Sequence, residues 1–133
     1  MTSKEDLESY LLRMGVEHEE LEENMWLLKP HETAGVVVNF TPPVVLLRLK
    51  VMELPKPQNG QLAPFYRRLL ELNASDIVHG SYGIEENDVV LSDALELEDL
   101  DYTELRSSYE SMVLAASSHV SELAGLIPVA HEG

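Results

Sequence analysis

One stretch of the sequence places a serine among glycines in a spacing that could support nucleophilic catalysis. Residues 79–83, HGSYG, approximate the G-x-S-x-G elbow of serine hydrolases. His79 stands where that elbow has its first glycine, and the stretch leads from a predicted helix into a predicted strand, whereas the elbow joins a strand to a helix. We therefore interpret the stretch as fold architecture and His79 as a half-buried histidine whose hydrogen bonds are satisfied.

A second stretch carries oxygen ligands at the spacing of a calcium loop. Asp99, Asp101, Thr103 and Glu110 fill positions 1, 3, 5 and 12 of such a loop. Position 6 is Glu104, where the sharp turn requires glycine, and no helix is predicted before the loop. Helix capping by Asp101 explains the same acids, so the stretch predicts the start of the last helix.

The remaining titratable residues do not form a recognisable catalytic or metal-binding set. The five histidines are scattered, and only His119 shares a predicted helical face with an acid, Glu122. There is no H-E-x-x-H motif and no cysteine to complete a zinc site. The acid pairs at 19–20 and 22–23 are typical of a solvated surface. We therefore predict no catalytic residue, no metal site and no cofactor, and expect a protein that is not an enzyme.

Composition restricts the class of partner. The chain has 133 residues, 44% of them hydrophobic, and a formal net charge of −15. One domain with a real core fits this length. The acidic charge argues against nucleic acid or an anionic membrane as the principal partner and favours a cationic or amphipathic polypeptide. With no basic and apolar leader and no stretch of membrane-spanning length, we expect a cytoplasmic protein.

The charge is also unevenly distributed along the chain. Ten acids lie between Glu85 and Glu110, against the single basic residue Arg106. Five of the nine basic residues lie in one stretch whose only acid is Glu53. These are Arg48, Lys50, Lys56, Arg67 and Arg68. Such polarity can orient a partner or a second subunit.

The first half of the chain predicts one helix and three strands. Ser3 and Asp6 have the spacing of a capping box, and Gly15 ends the helix. After the acidic run at 17–23, strands are predicted at 25–28, 35–40 and 44–54. In the last strand Val45, Leu47, Leu49 and Val51 share one face, while Arg48 and Lys50 lie on the other.

The second half predicts a helix, a hairpin and a long helix. The composition of PKPQNG, residues 55–60, indicates a loop before a helix at 62–73, whose buried stripe is Leu62, Phe65, Leu69 and Leu72. Asn73 has the residue type of a left-handed stop. Strands at 77–85 and 88–97 pair across a turn near Glu86 and Asn87. The last helix runs from 101 to 127, where Pro128 stops it.

These elements predict an α+β domain with an antiparallel sheet of five to six strands and helices packed on one face, in the order α-β-β-β-α-β-β-α. Residues 1–127 form the single domain, and residues 128–133 form a C-terminal tail.

Four strings within this order resemble a known family. They are VMEL at 51–54, LLELN at 69–73, HGSYG at 79–83 and LEDLD at 97–101. Together they resemble the bacterial YbjN-type domain family, which has a type III secretion chaperone-like fold, and the resemblance covers residues 3–127. Family members have been described as sensory transduction regulators, and their structural relatives are small acidic dimers that hold an unfolded segment of a client. The resemblance implies a binding or regulatory protein and supplies no catalytic residues.

Two hypotheses on function follow. The first is a non-enzymatic, chaperone-like or regulatory adaptor, a homodimer that holds a segment of a partner polypeptide. Its partner-binding residues are predicted to be Arg48, Lys50, Arg67 and Arg68, with either the sheet face around the first two or part of the last helix receiving the segment. The second is a signal transduction regulator domain that senses a small molecule in a pocket near Trp26 and Tyr82.

Overall fold

The described part of the chain folds into three helices and six strands. The structure, a computed structural model, describes residues 1–54 and 61–127, so the predicted loop at 55–60, the stop at Pro128 and the tail at 128–133 lie outside it. The described elements are α1 (Lys4–Met14), β1 (His18–Glu22), β2 (Met25–Leu28), β3 (Val36–Thr41), β4 (Val44–Glu53), α2 (Ala63–Ser75), β5 (Ser81–Glu85), β6 (Asp88–Glu96) and α3 (Tyr102–Gly125).

All six strands join one antiparallel sheet in the order β1-β2-β3-β4-β6-β5. The longest strand, β4, lies inside the sheet, where Leu47 pairs with Val38 on β3 and with Asp93 on β6. On β4, Val45, Leu47 and Leu49 are buried, while Arg48 and Lys50 are exposed. The predicted fold class is therefore confirmed, with six strands.

The predicted order of helices and strands along the chain, α-β-β-β-α-β-β-α, lacks one strand that the structure contains. The acidic run at 17–23 contains β1, an edge strand that pairs with β2 from His18 opposite Leu28 to Glu22 opposite Met25. Four of its five side chains are exposed. Because neither face of β1 is buried, the strand has no apolar alternation, and a pattern that depends on burial does not reveal it.

Helices α1 and α3 begin at the residues that the capping patterns predict. In α1 the Ser3 hydroxyl accepts a hydrogen bond from the Asp6 backbone N–H at 3.1 Å, and the Asp6 carboxylate accepts one from the Ser3 N–H at 3.1 Å. Gly15 ends α1 with a left-handed φ of 71°. At the start of α3, Asp101 accepts from the Glu104 N–H at 2.8 Å. These caps satisfy donors that a helix leaves unpaired.

The core lies between the helices and one face of the sheet. All four members of the predicted α2 stripe are buried. Phe65, Leu69 and Leu72 belong to one core cluster with side chains of α1, α3 and the inner face of β4 and β6. Fully burying one leucine or phenylalanine side chain is worth about 1.5–3 kcal/mol. The stripe is thus sufficient to hold α2 on the sheet.

The end of α2 differs from the prediction. The helix continues to Ser75, and Asn73 is an interior residue rather than a left-handed stop. The Asn73 side chain instead accepts from the Tyr82 backbone N–H at 2.7 Å and donates to the Tyr82 carbonyl at 3.2 Å. Accordingly, β5 begins at Ser81 rather than at residue 77. Two tertiary hydrogen bonds outweigh the weak local preference of asparagine to end a helix.

Candidate partner-binding surface

One face of the sheet is left open by the described helices. Its middle row comprises Met25, Asn39, Leu46 and Ala94, which lie opposite one another on β2, β3, β4 and β6. The next row comprises Leu27, Val37, Arg48, Ser92 and Ser81. The centre of the open face is therefore mostly apolar and becomes polar towards β5.

This open face is concave. A depression of about 730 Å³ is lined by side chains from four strands and by Gly80 and Ser81 at its β5 end. Met25, Val37 and Leu46 give it an apolar floor, and Arg48, Ser92 and Asn39 supply hydrogen-bonding groups. The backbone groups of β2, β3, β4 and β6 are paired within the sheet, so an occupant would meet side chains rather than free backbone groups. Such a surface suits a row of apolar side chains from another polypeptide.

Arg48 and Lys50 lie on the open face, about half exposed. Arg48 Nη1 is 3.2 Å from the Glu85 carboxylate. Lys50 Nζ is 2.8 Å from Glu53 and 3.4 Å from Asp88. The hydrogen bond from Lys50 to Glu53 raises the pKa of the lysine and lowers the pKa of the glutamate. The β5 side of the open face thus presents paired charges of both signs.

Arg67 and Arg68 lie on α2, on the opposite side of the sheet. Arg68 forms a two-point ion pair with Glu122 on α3, at 2.9 Å from Nε and 3.3 Å from Nη2, which raises the pKa of the guanidinium. Arg67 is 81% exposed and only 3.8 Å from Glu71 on its own helix. The four predicted partner-binding cations therefore belong to two separate surfaces.

Trp26 and Tyr82 are not brought together into a pocket. Both are buried on the helix-covered side, Trp26 on β2 and Tyr82 on β5. These strands are separated by β3, β4 and β6 in the sheet, which is about 19 Å at the usual strand spacing. The Trp26 ring instead lies 6.0 Å from the Lys4 ammonium.

Tyr82 belongs to a chain of side-chain contacts that the sequence did not predict. Its hydroxyl is 2.8 Å from His119 Nδ1, and His119 Nε2 is 3.5 Å from the Asp76 carboxylate. The tautomer with the proton on Nε2 accepts from Tyr82 and donates to Asp76 at once. Burial, and next the Asp76 charge, raise the pKa of Tyr82 to about 12. A tyrosine held neutral in this way is a structural hydrogen-bond donor, not an activated nucleophile.

His79 departs from its prediction in one respect. It is half-buried as expected, but its buried Nδ1 makes no hydrogen bond with any residue that the structure describes, so the expectation of satisfied hydrogen bonds was wrong. Nor do residues 1–54 and 61–127 contain a group of three or more His, Cys, Asp or Glu side chains that could hold a metal ion. The Asp101 carboxylate of the calcium-like stretch caps α3.

Two groups of exposed or open-face apolar residues were missed in the sequence. One is the floor of the open face, and its signal was the run at 44–47, where both faces of β4 are apolar. The other is a second stripe on α2, formed by Tyr66 and Leu70 at i and i+4, which are 37% and 69% exposed. Both groups lie on elements, β4 and α2, whose buried faces give the stronger apolar pattern in the sequence.

An antiparallel sheet with its helices on one face, in this order, defines a type III secretion chaperone-like fold. The family model CesT_Tir_1 matches residues 1–127, and the chain belongs to this family of type III secretion chaperones. Proteins of this family and fold are typically non-enzymatic.

Three solved structures share the fold. A chain of the heterodimeric ExoU–SpcU complex from the type III secretion system of Pseudomonas aeruginosa has a TM-score of 0.67 at 16% identity, covering 90% of this chain and 95% of that one. YbjN from E. coli has a TM-score of 0.65 at 16% identity, and the match covers 89% of this chain and 91% of that one. A chain of the ExsC–ExsE complex has a TM-score of 0.64 at 20% identity, and the match covers 92% of this chain and 97% of that one. No curated protein matches the sequence significantly.

Within residues 1–54 and 61–127, no helix has both the length and the apolar character needed to cross a membrane.

Proposed function

We propose that this protein holds a segment of a partner polypeptide against the open face of its sheet, as a chaperone-like or regulatory adaptor. The observation that carries the proposal is the apolar depression of about 730 Å³ on a face that the described helices leave uncovered. Membership of a chaperone family supports it, as do similar folds among chains solved in complexes of two proteins.

Binding would draw its free energy from the apolar floor. Met25 and Leu46 lie in its middle row and Val37 lies in the next row, on three strands in all. Burial of apolar surface is worth about 25 cal/mol per Å². Arg48 and Lys50 already contact carboxylates, so we assign them to orientation and association rate more than to affinity. No catalytic group is needed for this function.

We further propose that the protein is a homodimer through the exposed stripe of α2. Tyr66 and Leu70 present apolar surface there, flanked by Arg67 and Glu71. In a two-fold interface each residue meets the same patch on the partner, so an arginine and a glutamate on one stripe can pair reciprocally. This arrangement leaves the open face of each subunit free for a client segment.

Site-specific photocrosslinking tests the open face directly. Ala94 is exposed at the centre of this face, opposite Leu46, and Leu12 is exposed on α1. A benzophenone amino acid at position 94 should crosslink one polypeptide in the native host, always within one short segment. The same group at position 12 is the matched control, since it samples a surface away from the sheet.

Two variants complete the test. Ala94→Glu places a charge in the depression. When the tagged protein carrying this change is purified, the partner that the crosslinking experiment identified should no longer be recovered with it. Arg48→Glu with Lys50→Glu should slow association and reduce recovery while the circular dichroism spectrum stays unchanged. Undiminished recovery by both variants, or equal crosslinking from positions 12 and 94, would refute the open face as the binding site.

A further inference from the structure

A second groove lies on the opposite, helix-covered side of the molecule. Its volume is about 390 Å³, within the usual range of about 300 to 1,000 Å³ for binding pockets. Three parts of the chain form it: the connection from α1 to β1, the loop after β2 and one side of α3. Val16, Pro30, Tyr109, Val113 and Leu114 supply apolar surface, and Leu114 is 67% exposed.

The rim of this groove is acidic. Glu17, Glu32 and Glu110 line it, and all three are exposed. The one lysine among the lining residues, Lys29, directs its ammonium towards Glu19 on β1, 3.6 Å away. Glu110 has a 3.9 Å contact with Arg106 on the outside of α3, an exposed pair of little strength. Three carboxylates therefore surround an apolar groove with little compensating charge.

The raised pKa of Tyr109 reflects burial and a negative electrostatic potential in this groove. The residue is 5% exposed, and burial raises the pKa of its hydroxyl to about 12, with further contributions from Glu32 and then Glu110. A negative charge on the tyrosine is disfavoured because these two carboxylates act on it. The same two carboxylates would favour a positive charge at that place.

The groove continues along α3. A smaller cavity of about 170 Å³, to which Lys50 also contributes, shares Glu32 and Ser117 with it and extends to Val120. From Tyr109 to Val120 the helix rises about 16 Å at 1.5 Å per residue. An extended polypeptide covers that length with about five residues, at about 3.3 Å each.

We infer that this α3 groove is a second binding site, and that its occupant is an extended polypeptide segment of about five residues with at least one lysine or arginine between apolar side chains. Apolar side chains would pack on Val113 and Leu114, while the cation would lie between Glu32 and Glu110. That the occupant is a polypeptide rests on the proposed function, but the groove beside the α1–β1 connection shares no lining residue with the depression of the open face. The two sites can therefore be tested separately.

The test is a titration of ¹⁵N-labelled full-length protein with a capped peptide of sequence Leu-Arg-Ser-Arg-Leu, observed by NMR. We expect saturable shifts confined to amides of residues 15–17, 31–32 and 109–120. The peptide Leu-Glu-Ser-Glu-Leu is the charge control and should cause none. Replacing both Glu32→Gln and Glu110→Gln should weaken binding about tenfold, the sum of two modest ion pairs.

Matched variants separate the groove from general acidity. Glu5→Gln with Glu23→Gln removes two exposed carboxylates elsewhere and should leave the affinity unchanged. Ala94→Glu should also leave it unchanged, since that position lies on the open face. Equal shifts with both peptides, shifts that map to the open face, or no saturable shift at millimolar peptide would each overturn the inference. None of these results would bear on crosslinking from position 94.

Discussion

The Tyr82 hydroxyl connects three elements through two other side chains. It lies on β5, His119 lies on α3 and Asp76 caps α2, and their polar atoms are 2.8 Å and 3.5 Å apart. Such a chain, buried at Tyr82 and exposed at Asp76, specifies the position of the C-terminal half of α3, because each polar group loses its partner if the helix moves. The bidentate contact of Arg68 with Glu122 reinforces the same junction.

We expect Tyr82→Phe to lower the free energy of unfolding by about 1 kcal/mol, the net value of one hydrogen bond. The ring and its packing remain, so the loss reports the hydroxyl alone. Urea denaturation followed by circular dichroism measures it. Tyr10→Phe is the control, because Tyr10 lies on α1, away from this junction and from the proposed dimer stripe, and the change should alter stability very little.

The same hydroxyl predicts an alkaline loss of stability. The pKa of Tyr82 and that of Tyr109 are raised to about 12 in the folded state, against about 10 in an unfolded chain. Between these values the folded state holds more protons, so stability falls as pH rises from 10 to 12. Each tyrosine accounts for at most about 1.4 kcal/mol per pH unit. Tyr82→Phe should make the decline shallower, and an unchanged slope would contradict the assignment.

At the scale of elements, the entry into β5 depends on one glycine. Gly80 has a φ of 86°, and a Cβ at this position would collide with the Ser92 carbonyl oxygen on β6. Gly80 also borders the depression of the open face. Its backbone conformation and its lack of a side chain are therefore both needed to bring β5 against β6.

Gly80→Ala should cost about 1–2 kcal/mol from the left-handed backbone alone, and more from the collision with β6. Gly83→Ala is the matched control on β5, since a Cβ there meets no atom within 4 Å. We expect the control to stay within about 0.5 kcal/mol of the wild type. Thermal or urea unfolding of the two variants makes the comparison, and equal losses would refute the role of Gly80.

The elements that the sequence predicted are those whose pattern is set by the core. The stripe of α2, the capping residues of α1 and α3, and the inner face of β4 follow from burial and from local hydrogen bonds, which leave a periodic signal. Neither β1 nor the true end of α2 leaves a periodic signal in the sequence. β1 depends on backbone pairing at an exposed edge of the sheet, and the end of α2 depends on the contact of Asn73 with Tyr82.

The candidate site was less predictable for a related reason. Charge marked Arg48, Lys50, Arg67 and Arg68, but charge along the chain does not say which side of the sheet each residue faces. Leu46 and Ala94 meet only because β4 pairs with β6 across more than forty residues of sequence. Surfaces assembled from distant strands need the register, which a single sequence does not supply.

At the scale of the whole molecule, the proposed homodimer makes a prediction on α2. Leu70→Glu puts a charge at the centre of the exposed stripe and should convert the dimer to a monomer, because two glutamates would face each other across the two-fold axis. Sedimentation equilibrium over a range of concentrations measures this. Leu12→Glu, at 71% exposure against 69% for Leu70, is the control that should remain dimeric. A monomeric wild type, or a dimer unaffected by Leu70→Glu, would refute the interface.

The acidic edge strand β1 has a consequence for aggregation. An edge strand exposes unpaired backbone groups that can join the sheet of another molecule. Glu19, Glu20 and Glu22 are exposed along β1, so two copies that approach edge to edge bring like charges together. Replacing these three glutamates with glutamine would remove that repulsion and leave β1 free to pair. The strand that burial patterns do not reveal thus carries the charges that oppose pairing of two copies at the β1 edge of the sheet.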